Sequence, residues 1–282
     1  MSVPELQACL ARLYVDGSFR KLFYIDPDDT LRGYELNAAE ALAIKSIDRD
    51  RLEFFAESLV NKRKHEFERA YPLLFRLHSV VAERLYRRYY DLRVASPYQP
   101  GIQDITEFGL FLEESLASAA DAPPYAVDLA RYERLSYAAL VGTGPEAMPT
   151  VEPPEPAEPA TIEASDRLRS SGGIQLAAFM YDVAALEDKL ESSSDRQNSI
   201  EPDRGEYWIL FTPRVGSSPA RTLRVNSPTR TLLQLCDGRA TMADIVAAVE
   251  QTFGATQMGE VVRTALERLL AVGAIEIVRR HE

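Results

Sequence analysis

The chain has 282 residues, is 46% hydrophobic and 27% charged, and carries a formal net charge of −11. Its longest apolar runs fall far short of the ~18 residues that mark a membrane helix, so no membrane span is expected. Three histidines (His65, His78, His281) and two distant cysteines (Cys9, Cys236) argue against a zinc or copper site and against a disulfide framework.

Residues 1–12 lack the basic start, apolar core and small-residue cleavage site of a secretory signal, which points to a reducing cytoplasm. No Gly-rich phosphate loop, G-x-S-x-G or H-E-x-x-H motif occurs, so a free-standing enzyme is not expected and no catalytic residues are assigned. Asp26-Pro27-Asp28-Asp29 lacks the alternating ligands of a calcium loop and reads as a turn and helix cap.

The first 141 residues read as helices. Leu6, Cys9, Leu10, Leu13 and Tyr14 recur at helical spacing, and Phe19, Leu22, Phe23 and Ile25 form a shorter piece. Asn37 and Glu40 have capping-box spacing ahead of a helix over 38–46. Asp48 caps a long helix to about residue 70, and Pro72 opens another that runs through Tyr90. Further helices are predicted over 104–119 and 125–140, giving an all-α domain over 1–141. Within it, Arg84–Arg93 interleaves arginine with tyrosine, a pattern that could hold a single nucleic-acid strand. Leu85 and Tyr89 share a face there, so a solvated or protein-docking helix is the preferred reading. Cys9 and Cys236 sit on apolar faces and read as small buried hydrophobes.

Residues 142–172 change character, with six prolines alternating with glutamate. Such a segment cannot bury enough surface to fold, and it reads as an extended linker. The acidic balance is spread along the chain: 18 basic and 22 acidic side chains over 1–141, 2 and 6 over 142–172, 12 and 15 over 173–282. No region is basic, which argues against duplex nucleic acid as a partner.

From 173 the period shifts to that of strands. Residues 173–181 and 206–211 are rich in aromatic and β-branched side chains, and 221–226 alternate polar with apolar ones. Ser227 then reads as the N-cap, with Pro228 at the first helical position, of a helix that stops at Asp237-Gly238. Thr241 and Asp244 box the next helix, Gly254 ends it, and a third spans 257–271 before Gly273. Residues 274–278 read as a terminal strand. The fold class is therefore α+β: an N-terminal all-α helical domain plus a C-terminal winged-helix module with a three-stranded antiparallel sheet and three helices.

The run L-x-L-C-D-G-x-x-T-x-x-D-I at Leu233–Ile245, with the strands before it and the helix ending at Phe253-Gly254, resembles the PqqD-like recognition element. That element binds leader peptides of ribosomally synthesised, post-translationally modified peptides (RiPPs). The front half is similar to partner proteins of multinuclear non-heme iron-dependent oxidative enzymes (MNIOs). The residues that carry this similarity are F-x-x-D-P, A-E-A-L-A-I, F-F-A-E-S-L-V-N-K-R and the helix Pro124-Tyr125-Ala126-Val127-Asp128-Leu129-Ala130-Arg131-Tyr132-Glu133.

The resemblance implies a non-catalytic accessory subunit in RiPP biosynthesis with two partners, a precursor leader peptide and an MNIO-type iron enzyme. It implies no cofactor in this chain, with the iron in the partner enzyme. It also implies leader pairing with the third strand and packing on the third helix. The residues concerned are Arg221, Thr222, Leu223, Arg224, Val225 and Asn226, with Val262, Arg263, Leu266, Glu267 and Leu270. Arg224, Arg263 or Arg268 is expected to meet an acidic leader residue, whereas Leu266 and Leu269 read as core. The alternative is a winged-helix transcription regulator with 257–271 as its recognition helix, although Glu260 and Glu267 offset Arg263 and Arg268 there.

Overall fold

The computed structural model describes residues 3–93, 101–142, 161–192, 200–214 and 219–278. The chain forms two compact units, Met1–Pro124 and Tyr125–Glu282. Most of the proline-rich segment (143–160), residues 193–199 and His281 lie outside the described residues.

The first unit contains α1 (Val3–Val15), α2 (Gly17–Ile25), α3 (Pro27–Leu31), α4 (Ala38–Lys45), α5 (Arg49–Ala70), α6 (Pro72–Leu77), α7 (Ser79–Arg93) and α8 (Gly101–Ser118). Asp26, Asn37 and Asp48, expected to cap helices, do so, and Asp16, not singled out in the sequence, caps α2; each accepts a backbone N–H of the following turn. Asn37 and Glu40 complete a capping box. The helix predicted from Pro72 through Tyr90 is instead two helices, because His78 leaves the helical region at φ −131°, ψ 45°. Neither glycine nor proline marks that break, and Ser79, a weak helix former, is the one local sign.

Cys9, Leu13, Phe19, Phe23, Leu31, Ile44 and Leu52 form one buried cluster. A second centre is aromatic. Phe108 is fully buried, and its ring meets Phe67, Tyr89 and Tyr71 edge-on at centroid distances of 4.6, 5.1 and 5.5 Å. Edge-to-face contact sets the positive ring edge against a negative face. Asp104 is buried beside this cluster and is held by an ion pair and a hydrogen bond: Arg63 Nε donates to its carboxylate at 2.9 Å, and the Tyr89 hydroxyl donates to it at 2.9 Å. A buried carboxylate without such donors would be strongly destabilising.

The second unit contains α9 (Ala126–Val141), β1 (Arg167–Ser170), β2 (Gln175–Tyr181), a 3₁₀ turn (Val183–Ala185), α10 (Leu186–Ser192), β3 (Arg204–Thr212), β4 (Arg221–Val225), α11 (Ser227–Leu235), β5 (Asp237–Thr241), α12 (Met242–Phe253), α13 (Gly259–Ala271) and β6 (Ile275–Ile277). The fold is mixed α+β with two three-stranded antiparallel sheets, ordered β2-β3-β4 and β5-β1-β6. The sequence reading anticipated the first sheet and, of the second, only the terminal strand β6.

Two boundaries differ from those drawn on composition. The helix α9, grouped by its period with residues 1–141, belongs to the second unit, where it packs on β2, β3 and β4. The stretch 161–172, grouped with the linker, supplies the central strand β1 and the fully buried Ile162 and Leu168. Charged residues flank Leu168, so four residues of strand leave no compositional mark.

Both faces of the β2-β3-β4 sheet are covered. Leu176, Leu210, Leu223 and Val225 join the core formed with α11, α12 and α13. On the other face, Tyr132 of α9 meets Phe179 and Phe211 at 6.2 and 5.9 Å. The run Ile209-Leu210-Phe211 is consequently buried at all three positions, as expected for a strand with apolar cover on both faces.

Truncating the aromatic centre of the first unit is expected to be costly. Phe108→Ala should lower stability by about 3–5 kcal/mol, measured as a lower urea midpoint by far-UV circular dichroism. A loss below about 1 kcal/mol would show that the cluster does not hold this unit.

Candidate peptide groove

The strand β4 is an edge. Among the described residues it pairs with β3 alone, from Trp208 opposite Val225 to Thr212 opposite Arg221. Beside it lies a groove of about 630 Å³, walled by Leu223–Asn226, the start of α11, the end of α12 and one face of α13.

Each wall follows from local sequence. Asn226, rather than the expected Ser227, ends β4 and caps α11, its side chain accepting from Thr229 N at 2.9 Å and Thr229 Oγ1 at 2.7 Å. Thr241 and Asp244 form the capping box of α12, and the bonds from Thr241 hold the Asp244 carboxyl below its ordinary pKa. Gly254 ends α12 in the left-handed region at φ 62°, a conformation that costs glycine little. Between α11 and α12, Asp237 accepts from Arg239 N and Ala240 N, which lowers its pKa. Gly238 sits there at φ +84°, with Arg169 of the neighbouring strand 3.5 Å from where a Cβ would lie.

On α13 the groove face is Met258, Val261, Val262, Ala265, Arg268, Leu269 and Val272, at spacings of three and four. Val261 remains 60% exposed and Phe253 of α12 43% exposed, so the walls are apolar beyond what the core requires. Arg268 is exposed at the groove's margin.

The expected contact residues divide on this geometry. Leu223, Arg224, Val225, Asn226 and Val262 line the groove, while Arg221 and Thr222 lie further along the same exposed strand. Arg263, Leu266, Glu267 and Leu270 do not line it. Leu266 is fully buried, Leu269 is nearly so, and Leu270 packs against the core. The expected helix face was one residue out of phase, which turns it by about 100°. Val261, Ala265 and Val272 were missed for that reason. The available signal was Val261 itself, an apolar residue outside the stripe of Val262, Leu266 and Leu269.

Arg224, expected to meet an acidic ligand, is ion-paired with the buried Asp182 and lies 5.7 Å from the Tyr207 ring centroid. Arg268, another of the three arginines named, also lies at the groove, whereas Arg263 does not line it.

The remaining residues singled out by sequence have structural surroundings. Tyr86 and Tyr89 of the arginine–tyrosine stretch are buried. Tyr86 Oη donates to the Val60 carbonyl at 2.7 Å, so that ring is not an open stacking platform. Asp26 accepts from Asp29 N as a helix cap. His65 contacts Glu68 at 2.7 Å, and burial lowers the pKa of His78. Among the described residues, no group of three or more His, Cys, Asp or Glu side chains is placed to hold a metal ion.

No protein-family model matches the chain, and no curated protein matches it in sequence.

Both cysteines are buried, Cys236 in the core that also holds Leu232 and Leu266. Burial pushes the Cys9 thiol up to about 11; burial and then Asp237 push Cys236 up to about 12. At pH 8 both thiols should therefore react with a disulfide reagent at least ~100-fold more slowly in the native protein than in urea. Rapid native labelling of either would contradict the burial.

Proposed function

We propose that this chain is a non-catalytic accessory subunit in RiPP biosynthesis. Its second unit binds the leader of a precursor peptide, and its helical unit docks on an iron-dependent oxidative enzyme of the MNIO type. The observation that carries this reading is an edge strand, β4, bordering an apolar groove on α13. An extended peptide can add to such an edge through its backbone while alternate side chains enter the groove. Each backbone hydrogen bond contributes about 0.5–1.5 kcal/mol net, so affinity and specificity have separate sources.

The resemblance of Leu233–Ile245 to the PqqD-like element supports the same site, and the motifs of the front half support the enzyme partner. On this reading the iron and the oxygen chemistry reside in the partner enzyme, and this chain supplies recognition. The groove chemistry favours a leader with apolar side chains at alternate positions and an acidic residue opposite Arg268. A DNA recognition helix is disfavoured because the exposed positions of α13 include Glu260 and Val261 as well as Arg268, a poor match to phosphates.

Fluorescence anisotropy with a labelled precursor peptide encoded beside this gene tests the site. Wild-type protein should bind saturably, and Ala265→Trp, which fills the groove, should weaken binding at least ~10-fold, about 1.4 kcal/mol, without loss of helical signal. Absence of leader-dependent binding, alone or with the iron enzyme, would sink the reading, as would undiminished binding by the tryptophan variant. A gel shift with upstream DNA at moderate salt should show no specific complex.

A further inference from the structure

The sheet β2-β3-β4 has two edges, and they are finished differently. Asp128 and Arg131 lie three residues apart on α9, so both point toward the same side of that helix. Asp128 Oδ2 accepts the backbone N–H of Met180 at 2.7 Å and of Tyr181 at 3.0 Å. Arg131 Nη1 donates to the Ala178 carbonyl at 3.4 Å and lies 5.7 Å from the Phe179 ring centroid. Ala178 and Met180 are two residues apart, so their backbone groups leave the strand on the same side. The register of β2 against β3 shifts between Phe179 and Tyr181, and past that irregularity two successive N–H groups meet one carboxylate oxygen.

Met180 is 57% exposed, so this stretch of strand lies at the surface and another strand could reach it. Bonds to an ionised carboxylate are roughly twice as strong as neutral ones, which makes Asp128 an effective block. The β4 edge instead borders the apolar groove.

We infer that Asp128 and Arg131 are edge guards: they close the C-terminal half of β2 against pairing with a second copy of this chain, and so direct strand addition to β4. The guarding of β2 is independent of what β4 receives; only the direction toward β4 rests on the proposed leader-binding reading.

The test uses the full-length chain, with hydrogen exchange read by mass spectrometry over residues 175–181 and association read by sedimentation velocity. In the wild type, the Met180 and Tyr181 amides should be as protected as those of Ile209 and Leu210. Asp128→Ala should speed their exchange at least ~10-fold and produce a dimer whose population rises with concentration. Asp128→Asn keeps an acceptor oxygen and should remain monomeric. Adding Met180→Lys to Asp128→Ala should restore the monomer, because an edge lysine opposes strand pairing.

A monomeric Asp128→Ala variant, or one with unchanged exchange over 175–181, overturns the inference. Should that variant fail to fold, the wild-type amides decide alone: free exchange at Met180 and Tyr181 overturns it, and protection supports it. No leader peptide is present in these measurements, so their failure is distinct from failure of leader binding.

Discussion

Everything in the second unit depends on the sheet β2-β3-β4 being apolar on both faces. A three-stranded sheet of this kind cannot stand with one face in water, because Phe179, Ile209 and Phe211 would be exposed on one side and Leu210 and Leu223 on the other. Fully burying such side chains contributes roughly 1.5–3 kcal/mol each, so cover on both faces is a condition of folding. The helices α11, α12 and α13 supply one layer and α9 supplies the other. The position of α9 in this unit follows from that need. Covering the faces leaves the edges, and there the two ends of the sheet part company: side chains of α9 reach β2, whereas β4 borders a groove.

That asymmetry connects the fold to the proposed function. An unpaired strand edge is a hazard for aggregation as well as a means of binding. A protein that uses one edge for recognition benefits from closing the other. The groove beside β4 is built from residues with a surplus of apolar surface, Val261 and Phe253 above all. Arg268 places one positive charge at its margin. Arg224, which reads in sequence as an equivalent charge, is held by Asp182 and helps fix β4 against the 3₁₀ turn.

Much of this was legible in the sequence where the signal was local. Capping residues fix helix starts through short-range hydrogen bonds, so Asn37 with Glu40 and Thr241 with Asp244 could be read directly. The alternation and aromatic content of β2, β3 and β4 likewise gave the main sheet. What escaped depends on tertiary partners. The period of α9 declares a helix but not which unit it covers. The strand β1 has one buried leucine between arginines, and only pairing with β5 and β6 makes it a strand. On α13, apolar residues run through two adjacent stripes, and composition alone does not say which faces the core. A groove does lie beside the strand and helix named from sequence, and the helix face that lines it is one residue away from the face named.

The measurement that bears most directly on the central claim is hydrogen exchange of the full-length chain with and without the proposed precursor peptide. The account predicts new protection over 221–226 and 258–272 when the peptide binds, with no change over 175–181. Protection that appears at β2 instead, or that leaves both β4 and α13 unchanged, would contradict it.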